Sequence, residues 1–359
     1  MNKYRSIPLL IGILVLAQIA AAAQPNPPAW PSTVKVYSPT SSKSQIESEV
    51  GAAYNSNGGL SEQGQWSELR FAFLFQPGSY DANIPVGYYT QVLGLGATPD
   101  EVKFTGERGV YCEGASHQQS PGSLDTFWRS AENFESHAWW SPFQGISGMV
   151  WAVSQAAPLR RIIVKNDLSV FWNQSWSSGG YIANSRIEKT LNHGTQQQWM
   201  HRNVDMKYAN GGNWNFVYSG CTGNPGPKCG NHVDTVIDQT PTIAEKPFIS
   251  FENDRYYLNR PRQASNTSGP NFGRNDKFDF SQVYVADAAK DTAKTINAHL
   301  SAGLHVVLSP GIYHLEAPLT LRHNGQILLG IGIATLAAEN LEGAIKIYYN
   351  VTGTRVAGI

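Results

Sequence analysis

Carboxyl groups and large aromatic side chains occur close together in one short stretch of the sequence. Asp125, Glu132 and Glu135 supply the carboxyl groups, and Trp139 and Trp140 follow directly. Hydrolysis of a glycosidic bond commonly uses two carboxyl groups, one protonated and one ionised, and aromatic rings can stack on sugar rings. We therefore predict Glu132 and Asp125 as the catalytic acid and base, and Trp139 and Trp140 as substrate-binding residues.

The same stretch allows a second interpretation. Arg129 and His137 lie among the carboxyl groups, so the charges can also pair with one another in a solvated loop. In that case the stretch would offer no free acid or base for chemistry.

Another polar set lies further along the chain and consists of Gln196, Gln197, Gln198, His201 and Asp205. Amide groups and an imidazole can hold a sugar hydroxyl or position a water molecule. We predict Gln198 and His201 as substrate-binding or water-positioning residues. Ordinary turn chemistry combined with a side-chain ladder is the alternative.

A polysaccharide lyase is a further hypothesis for the enzymatic function. It would need a Ca²⁺ site of clustered carboxylates and a basic residue that takes the proton. Arg160, Arg161 and Lys165 supply positive charge, but the sequence has no dense cluster of aspartates. The His-x-Asp pair within residues 230–235 stands alone on a loop, so we predict neither a metal site nor a cofactor.

The elements that must position these residues are indicated by an internal repeat. Residues 73–98 read FLFQPGSYDANIPVGYYTQVLGLGAT, and residues 306–335 read VVLSPGIYHLEAPLTLRHNGQILLGIGIAT. In both copies a short apolar strand leads into Pro-Gly-x-Tyr, and an alternating stretch then leads into an apolar Gly-x-Gly strand. Self-similarity of this kind is typical of solenoid proteins.

The residue types in each part of the repeat suit the backbone and the burial that the part requires. Proline fixes φ at the turn, and glycine takes backbone angles that other residues resist. The Gly-x-Gly strands are apolar on both sides, as strands buried in a parallel solenoid should be. Ahead of the copies, residues 42–54 and 291–303 have helical spacing, with Asp291 as N-cap and Gly303 as the stop of the second helix. We expect these helices to cap the solenoid where an open edge would pair with other chains.

Short strands broken by polar turns fill the region between the copies. Asn133, Asn184 and Asn203 fall at comparable places in these strands, and we expect them to stack as a structural amide ladder. The sequence thus predicts an all-β fold. It is a right-handed parallel β-helix (pectin-lyase-like) with short capping helices and the start of a second β-helix.

The repeat and its flanks suggest how the chain is divided. We predict a signal peptide at residues 1–23 and a Pro-rich segment at 24–40. The first β-helix follows at 41–245, a linker at 246–285, and the start of the second β-helix at 286–359.

The N-terminus is typical of an export signal. Lys3 and Arg5 precede an apolar stretch at residues 7–19, and Ala21-Ala22-Ala23 supplies a small-residue cleavage site. The apolar stretch is short for a membrane span. We therefore predict a secreted, extracellular protein that has no membrane partner after removal of the signal.

The composition and the cysteines bear on the partners and the disulfides that we expect. Charged residues make up 15% of the chain and the formal net charge is +0, which argues against a nucleic-acid partner, since such proteins favour a basic balance. Cys221 and Cys229 bracket a Gly/Pro loop, where a small disulfide is one of two open outcomes, and Cys112 is left over. The sequence does not indicate an oligomeric state.

The repeat resembles a known family. The helix followed by PGxY and an LGxG strand resembles the start of pectate-lyase-3-like β-helices, and its double occurrence resembles the paired β-helices of glycoside hydrolase family 55 relatives. The stretch 150–206, with VWAVSQAAPLRRI, SSGGYIANSRI and GTQQQWMHRNVDM, is similar to secreted microbial proteins of that paired kind. Such proteins often carry the label coagulation factor 5/8 type domain protein, but we see no discoidin-like β-sandwich in this sequence.

The resemblance covers most of residues 40–345, and it implies a carbohydrate-active protein directed at glucan or pectin. For family 55 it implies an active site between the two β-helices and a general acid, a glutamate, supplied by the second one. We carry no residue over to that role by motif. Val306 to Ile359 holds only about two coils, whereas solenoids normally need at least three units, so we expect a C-terminally truncated second β-helix.

The first functional hypothesis is therefore a secreted glycoside hydrolase that acts on a glucan or another cell-wall polysaccharide. A non-catalytic polysaccharide-binding or surface β-helix protein is the alternative. Binding would need only an exposed stripe of tryptophans, whereas hydrolysis needs two carboxyl groups within about 10 Å of each other.

Overall fold

The computed structural model describes residues 23–116, 121–143, 145–173, 175–213, 215–223 and 234–359. The predicted signal peptide, apart from Ala23, lies outside these residues. So do Cys229, whose disulfide with Cys221 the sequence leaves open, and His232 of the His-x-Asp pair. Among the described residues, no helix combines the length and the apolar character that crossing a membrane requires.

Parallel strands stacked coil upon coil form the first β-helix. Each strand of its main face pairs in parallel with the strand of the next coil. In chain order these strands are Val34–Tyr37, Phe71–Phe75, Thr90–Gly94, Arg129–Ser136, Leu159–Val164, Tyr181–Asn192, Trp199–Asn210, Phe216–Ser219 and Asp234–Ile237. Shorter parallel pairs form the other faces: Gly78–Tyr80 with Val102–Phe104, Ile84–Pro85 with Val110–Tyr111, and Gly148–Val150 with Asp167–Ser169. The predicted parallel β-helix is confirmed.

A second, shorter set of coils follows further along the chain. Its main-face strands are Val283–Ala286, His305–Leu308, Ile327–Gly330 and Arg355–Ala357. Its other faces are the parallel pairs Ile312–Leu315 with Thr335–Ala338 and Leu319–Leu321 with Ile345–Ile347. Parallel pairing on all three faces makes this unit a β-helix as well.

The first β-helix begins with a capping α-helix, Lys43–Ser56. This helix buries Ile46, Val50 and Ala53, the face that the sequence spacing predicts, in the same core cluster as Phe75. Burial of a large aliphatic side chain contributes roughly 1.5–3 kcal/mol. The helix therefore seals the apolar interior at the end of the solenoid.

The second capping helix, Ala293–Ser301, has a different N-cap from the predicted one. The side chain of Thr292 accepts a hydrogen bond from the Thr295 N–H, and the Thr295 side chain accepts one from the Thr292 N–H. Asp291 instead accepts a hydrogen bond from the Thr295 hydroxyl at 2.9 Å, so it supports the capping box from outside. The end of the helix is as predicted, because Gly303 follows the C-cap with φ +89°.

The tyrosines of the two Pro-Gly-x-Tyr motifs make equivalent hydrogen bonds. The Tyr80 hydroxyl donates to the carbonyl oxygen four residues back at 2.7 Å and to that of Tyr37, in the preceding coil, at 3.2 Å. The Tyr313 hydroxyl donates to the carbonyl four residues back at 3.1 Å and to that of Ala286, again in the preceding coil, at 2.9 Å. Each tyrosine thus ties its turn to the coil below.

The Gly-x-Gly strands contain glycine because the backbone of the next coil approaches closely. A Cβ atom on Gly94 would lie 1.8 Å from the carbonyl oxygen of Asn133, and one on Gly330 would lie 2.3 Å from that of Gly358. No side chain fits at either place. The two copies of the sequence repeat are therefore also structurally equivalent.

Alternate residues of the repeat strands face two different cores. In the strand Phe71–Phe75, Phe73 points into the first β-helix, whereas Leu74 points towards the second. Val307 of the second β-helix belongs to the same shared cluster as Leu74, while its neighbour Val306 points into its own interior. The strands are apolar on both sides because one side fills a β-helix and the other joins the two β-helices.

The predicted linker folds as antiparallel sheet. Phe248–Glu252, Arg255–Pro261 and Asn275–Asp279 pair in this order, and Thr240–Ile243 pairs with Ala264–Thr267. Ile249 and Leu258 are buried in the cluster shared by the two β-helices. This segment is therefore part of the interface and not merely a connection.

The predicted amide ladder needs correction. Asn133, Asn184 and Asn203 do lie in one column of the main sheet, but Arg161 separates the first two. All four residues have positive φ, between 48° and 60°. Asn184 donates to the carbonyl of Asn271 at 2.9 Å, and Asn203 donates to that of Gly269 at 3.0 Å. These two amides therefore bond to the linker segment.

Candidate active site

A cavity of about 660 Å³ lies where the two β-helices meet. Neighbouring strands of the main sheet position its polar lining, because Gln91 pairs with Ser130 and Glu132 pairs with Arg160 in the ladder. The second β-helix contributes the apolar residues Ile333, Ala334, Leu336, Ala344 and Ile345. A concave site with a few placed polar groups among apolar ones is typical of a ligand site.

Glu132 is buried among the polar residues of the cavity. Its Oε1 accepts hydrogen bonds from Gln91 Nε2 at 2.8 Å and from the Ser130 hydroxyl at 3.2 Å, and it forms a buried ion pair with Lys246. Burial by itself would raise the pKa of Glu132, but the charges of Lys246 and Arg160 more than offset this and hold the pKa below its ordinary value. Glu132 is therefore ionised at neutral pH and suits the part of a base or a fixed negative charge, not that of a proton donor.

Gln91 links this charge pair to the second β-helix. While its Nε2 donates to Glu132, its Oε1 accepts the Gly332 N–H at 2.7 Å. Gly332 belongs to the second Gly-x-Gly motif of the sequence repeat. The position of the carboxylate thus depends on how the two β-helices are docked.

Aromatic rings form another part of the cavity wall. Tyr89 and Trp128 stack with ring centroids 6.4 Å apart and an interplanar angle of 11°. The Arg70 guanidinium lies 4.1 Å from the centroid of the Tyr89 ring. Because Trp128 is 43% exposed, part of its ring is free to contact a ligand.

Unusual backbone angles are concentrated around the cavity. Tyr89, Trp128, Ala156 and Ile333 have φ values of 51°, 51°, 57° and 57° and all line it. Residues with a Cβ resist this left-handed region, and such strain tends to be retained where a site needs a particular shape. These turns present the aromatic rings and the apolar wall to the cavity.

Relatives of known activity match much of the chain. The sequence model of the family described as LAM55 pectate lyase-like domain matches residues 283–359. An exo-beta-1,3-glucanase from Streptomyces sp. (strain SirexAA-E / ActE) is 36% identical over 307 residues, which are 83% of this chain and 48% of that protein. The chain thus spans about half the length of the curated relative that it matches.

Solved structures match nearly all of the chain. The structure of sacteLam55A from Streptomyces sp. SirexAA-E has a TM-score of 0.83 and 32% identity, and the match covers 94% of this chain and 59% of that one. The chain is thus a paired β-helix protein that is similar to those of the glycoside hydrolase family 55 type. A variant of sacteLam55A in complex with glucose matches this chain with a TM-score of 0.83 and 33% identity, over 94% of this chain and 59% of that one.

Only one member of the predicted acid/base pair lines the cavity of this paired β-helix protein. Glu132 lines the cavity, but Asp125, which is 7% exposed, lies outside its lining. Asp125 belongs to the turn that precedes the strand Arg129–Ser136, where its carbonyl accepts a hydrogen bond from the Tyr88 hydroxyl. Asp125 therefore does not share the cavity with Glu132, and its role as partner of Glu132 stays a prediction.

The rest of the predicted cluster is dispersed as well. Arg129 points inward, where it donates to the carbonyl of Val86 at 2.8 Å and is 2% exposed. Glu135 pairs with His137 at 2.5 Å, outside the cavity lining. At the left-handed residue Asn133 the strand passes from the ladder with Thr90–Gly94, which contains Glu132, to the ladder with Val102–Phe104, which contains Glu135. The two glutamates therefore lie on different faces of the first β-helix.

The second predicted polar set does not form a site either. His201 is wholly buried in the first β-helix, where its Nε2 lies 2.9 Å from that of His193 and its ring stacks on Tyr218 at 4.4 Å. Burial and the neighbouring His193 lower the pKa of His201. No sugar reaches this imidazole, so its assignment is corrected. Gln198 is exposed and lies outside the cavity lining.

The adjacent tryptophans Trp139 and Trp140 have opposite environments. Trp139 is 57% exposed, whereas Trp140 is 8% exposed and packs against Tyr111 and Trp172 at centroid distances of 5.5 and 5.6 Å. Neither residue lines the cavity. The burial of Trp140 makes it a packing residue, which corrects its predicted role, while substrate binding by Trp139 stays a prediction.

The basic residues considered for lyase chemistry have partners. Arg161 lies 3.8 Å from the centroid of the Phe248 ring, and Lys165 pairs with Glu188 at 2.7 Å. Arg160 lines the cavity beside Glu132. Within the described ranges, no three His, Cys, Asp or Glu side chains are grouped as a metal site would need.

Sequence reasoning missed the partners of Glu132. Lys246 lies 114 residues further along the chain, in a segment that the sequence indicated only as a linker. Gln91 and Tyr89 lie inside the first repeat copy, in its alternating stretch. Their polar and aromatic side chains lie next to a strand that is apolar on both sides. This pattern could have indicated that they belong to a site.

Proposed function

We propose that this chain acts on β-1,3-glucan as a glycoside hydrolase that binds the polymer in the cavity between its two β-helices. The similarity to an exo-beta-1,3-glucanase supports the substrate and the reaction. The observation that carries the proposal is the cavity itself, where the stacked rings of Tyr89 and Trp128 stand beside the ionised carboxylate of Glu132. Aromatic faces and a buried charge are what a neutral sugar and a cationic transition state require.

The residues of the cavity have separable roles in this proposal. Trp128 stacks on a sugar ring. Glu132 is kept ionised by Lys246 and Arg160, so it can accept a proton from an attacking water molecule or stabilise an oxocarbenium-like transition state. Gln91 and Ser130 hold the carboxylate in place.

Binding without cleavage is the second candidate function. Among the described lining residues, Glu132 carries the single side-chain carboxyl group, and hydrolysis commonly uses a second one as proton donor. A polysaccharide-binding protein would need only the aromatic wall and the polar floor.

We also propose that the chain is secreted and meets its polysaccharide outside the cell. The charged start, the apolar stretch and the small-residue site at the N-terminus support this proposal. Detection of the chain in the culture medium of its host, with an N-terminus near Gln24, would test it. Retention of the full-length chain in the cells would contradict it.

The main test measures glucose release from β-1,3-glucan by the wild type and by Glu132→Gln. We expect release by the wild type and a loss of at least about 100-fold in the variant, the usual effect of removing a base. Unchanged release in the variant would remove Glu132 from the mechanism. Binding without release by the wild type would favour the second candidate function, and neither binding nor release by a folded sample would remove the carbohydrate assignment.

A second test compares two tryptophans as sugar-binding residues. Trp128→Ala should weaken binding of soluble β-1,3-glucan by up to about tenfold, because one stacked ring contributes about 0.5–1.5 kcal/mol. Trp139→Ala should leave binding unchanged if the cavity is the site. The opposite pattern, measured by titration calorimetry, would favour the assignment made from the sequence.

A further inference from the structure

A segment between the first capping helix and the next coil borders the cavity. It comprises residues 57–70, and we call it the rim segment. Asn57, which is 1% exposed, anchors it. Its Nδ2 donates to the carbonyl of Tyr88 at 2.7 Å, and its Oδ1 accepts the Ser67 hydroxyl at 2.6 Å. The rim segment is therefore held from within the protein.

Residues of the cavity fix the rim segment beside the opening. The hydroxyl of Tyr89 donates to the carbonyl of Gln65 at 2.5 Å. Arg70 donates to the carbonyl of Ser67 at 3.0 Å and to the Thr335 hydroxyl of the second β-helix at 3.2 Å. The same arginine lies over the Tyr89 ring, so the rim segment continues directly from the aromatic wall.

Trp66 follows Gln65 and ends the 3₁₀ helix Glu62–Trp66. It is 75% exposed, and Leu69, three residues on, is 47% exposed. Single exposed apolar residues are ordinary on protein surfaces. Here, however, the exposed indole lies on a rigid segment that hydrogen-bonds to the wall of a cavity, which is the arrangement that an extended ligand leaving the cavity would meet.

We propose that Trp66 binds the β-1,3-glucan chain outside the cavity and so favours polymer over short oligosaccharides. This inference rests on the proposed function. The indole offers a flat apolar face to a neutral sugar ring, and the anchored backbone reduces the ordering that binding must impose. Tyr89 stacks on Trp128 and bonds to Gln65, the neighbour of Trp66. We infer that a chain longer than the cavity follows this order of residues.

The inference predicts different effects on KM and kcat, and different effects on the binding of polymer and disaccharide. A contact made far from the reacting bond stabilises the bound substrate and the transition state equally, so its loss raises KM and leaves kcat unchanged. A disaccharide confined to the cavity does not reach Trp66. Its binding should therefore be independent of this residue, whereas polymer binding should not.

The experiment uses the full chain, insoluble β-1,3-glucan and the β-1,3-linked glucose disaccharide as probes. We expect Trp66→Ala to bind the polymer about tenfold more weakly, as expected for one stacked ring, to bind the disaccharide like the wild type, and Trp66→Phe to recover most of the loss. Trp176→Ala is the matched control, because Trp176 is also strongly exposed, at 57%, but its carbonyl accepts the Ser123 N–H in a different loop from the rim segment. It should bind both probes like the wild type.

Each remaining outcome overturns the inference in a recognisable way. If the wild type binds both probes and Trp66→Ala does too, with unchanged affinity, Trp66 has no role and the proposed function stands. Equal losses for polymer and disaccharide would mean that the variant has disturbed the cavity itself. If the folded wild type binds neither probe, the proposed function fails and the inference fails with it.

Discussion

The two β-helices touch in two regions that differ in character, although the same face of one sheet lines both. Leu74, Leu93, Glu132 and Arg160 follow one another in a single column of the ladder. The two leucines are buried against the second β-helix in a dry apolar contact. One coil later the column turns to charged residues, and there the cavity begins. The backbone is parallel throughout, so the type of side chain decides where the β-helices close and where they leave room for a ligand.

The largest effect should come from breaking the charge pair of the cavity. Lys246→Met leaves the carboxylate of Glu132 buried without its cation, which typically costs about 3–5 kcal/mol. The free energy of unfolding, measured in urea, should fall accordingly. The double variant Glu132→Gln with Lys246→Met should recover much of the loss. Lys103→Met, at an exposed position, is the control, and an equally small effect at both lysines would show that the pair does not hold the cavity together.

Substitution in the apolar contact between the two β-helices should lower stability nearly as much as substitution in the charge pair, but for a different reason. Leu74→Ala removes a side chain that is 0% exposed and leaves a void between the β-helices, at a cost of about 2–5 kcal/mol. Leu341→Ala, at a fully exposed leucine, should change the melting temperature very little. A tolerant response at Leu74 would mean that the apolar contact is not what joins the two units.

Lowering the pH should weaken the charge pair of the cavity but not the apolar contact at Leu74. The effect on stability should be smaller than that of either substitution. The pKa of Glu132 is lowered in the folded chain, so its stabilisation is present above the unfolded value of about 4.3 and is lost as pH falls through the folded value. The stability of the wild type relative to the double variant at Glu132 and Lys246 should thus fall as the solution is acidified below the unfolded value. The difference between the wild type and Leu74→Ala should stay level over the same range. A level curve for the charge pair would contradict the lowered pKa.

Much of the fold could be predicted because it depends on local rules that repeat. The Pro-Gly-x-Tyr turns, the glycines that meet a neighbouring backbone, and the buried face of the first capping helix follow from steric limits and apolar spacing. The N-cap of the second helix could not be chosen in the same way, since Asp291 and Thr292 are both good caps and only the geometry of the turn selects Thr292.

The site was predicted only in part because it is assembled from distant segments. Glu132 lies where a catalytic carboxylate would be useful, but its neighbours in sequence, Asp125 and Glu135, lie outside the cavity lining. His201 was polar in the sequence and turned out to lie in the interior, paired with His193. The sequence cannot distinguish a buried pair of imidazoles from an exposed ligand, because both have the same residue types at the same spacing.

The sequence by itself determined the repeating unit, the parallel coils and the presence of two β-helices, since each strand and turn needs particular residues wherever it occurs. The tertiary structure decided which charged group became part of a site. Lys246 reaches Glu132 only after the linker has folded back against the main sheet, and Gln91 meets Gly332 only after the two β-helices have docked. Contacts of that range depend on the docking of whole units, which no local pattern of residues specifies.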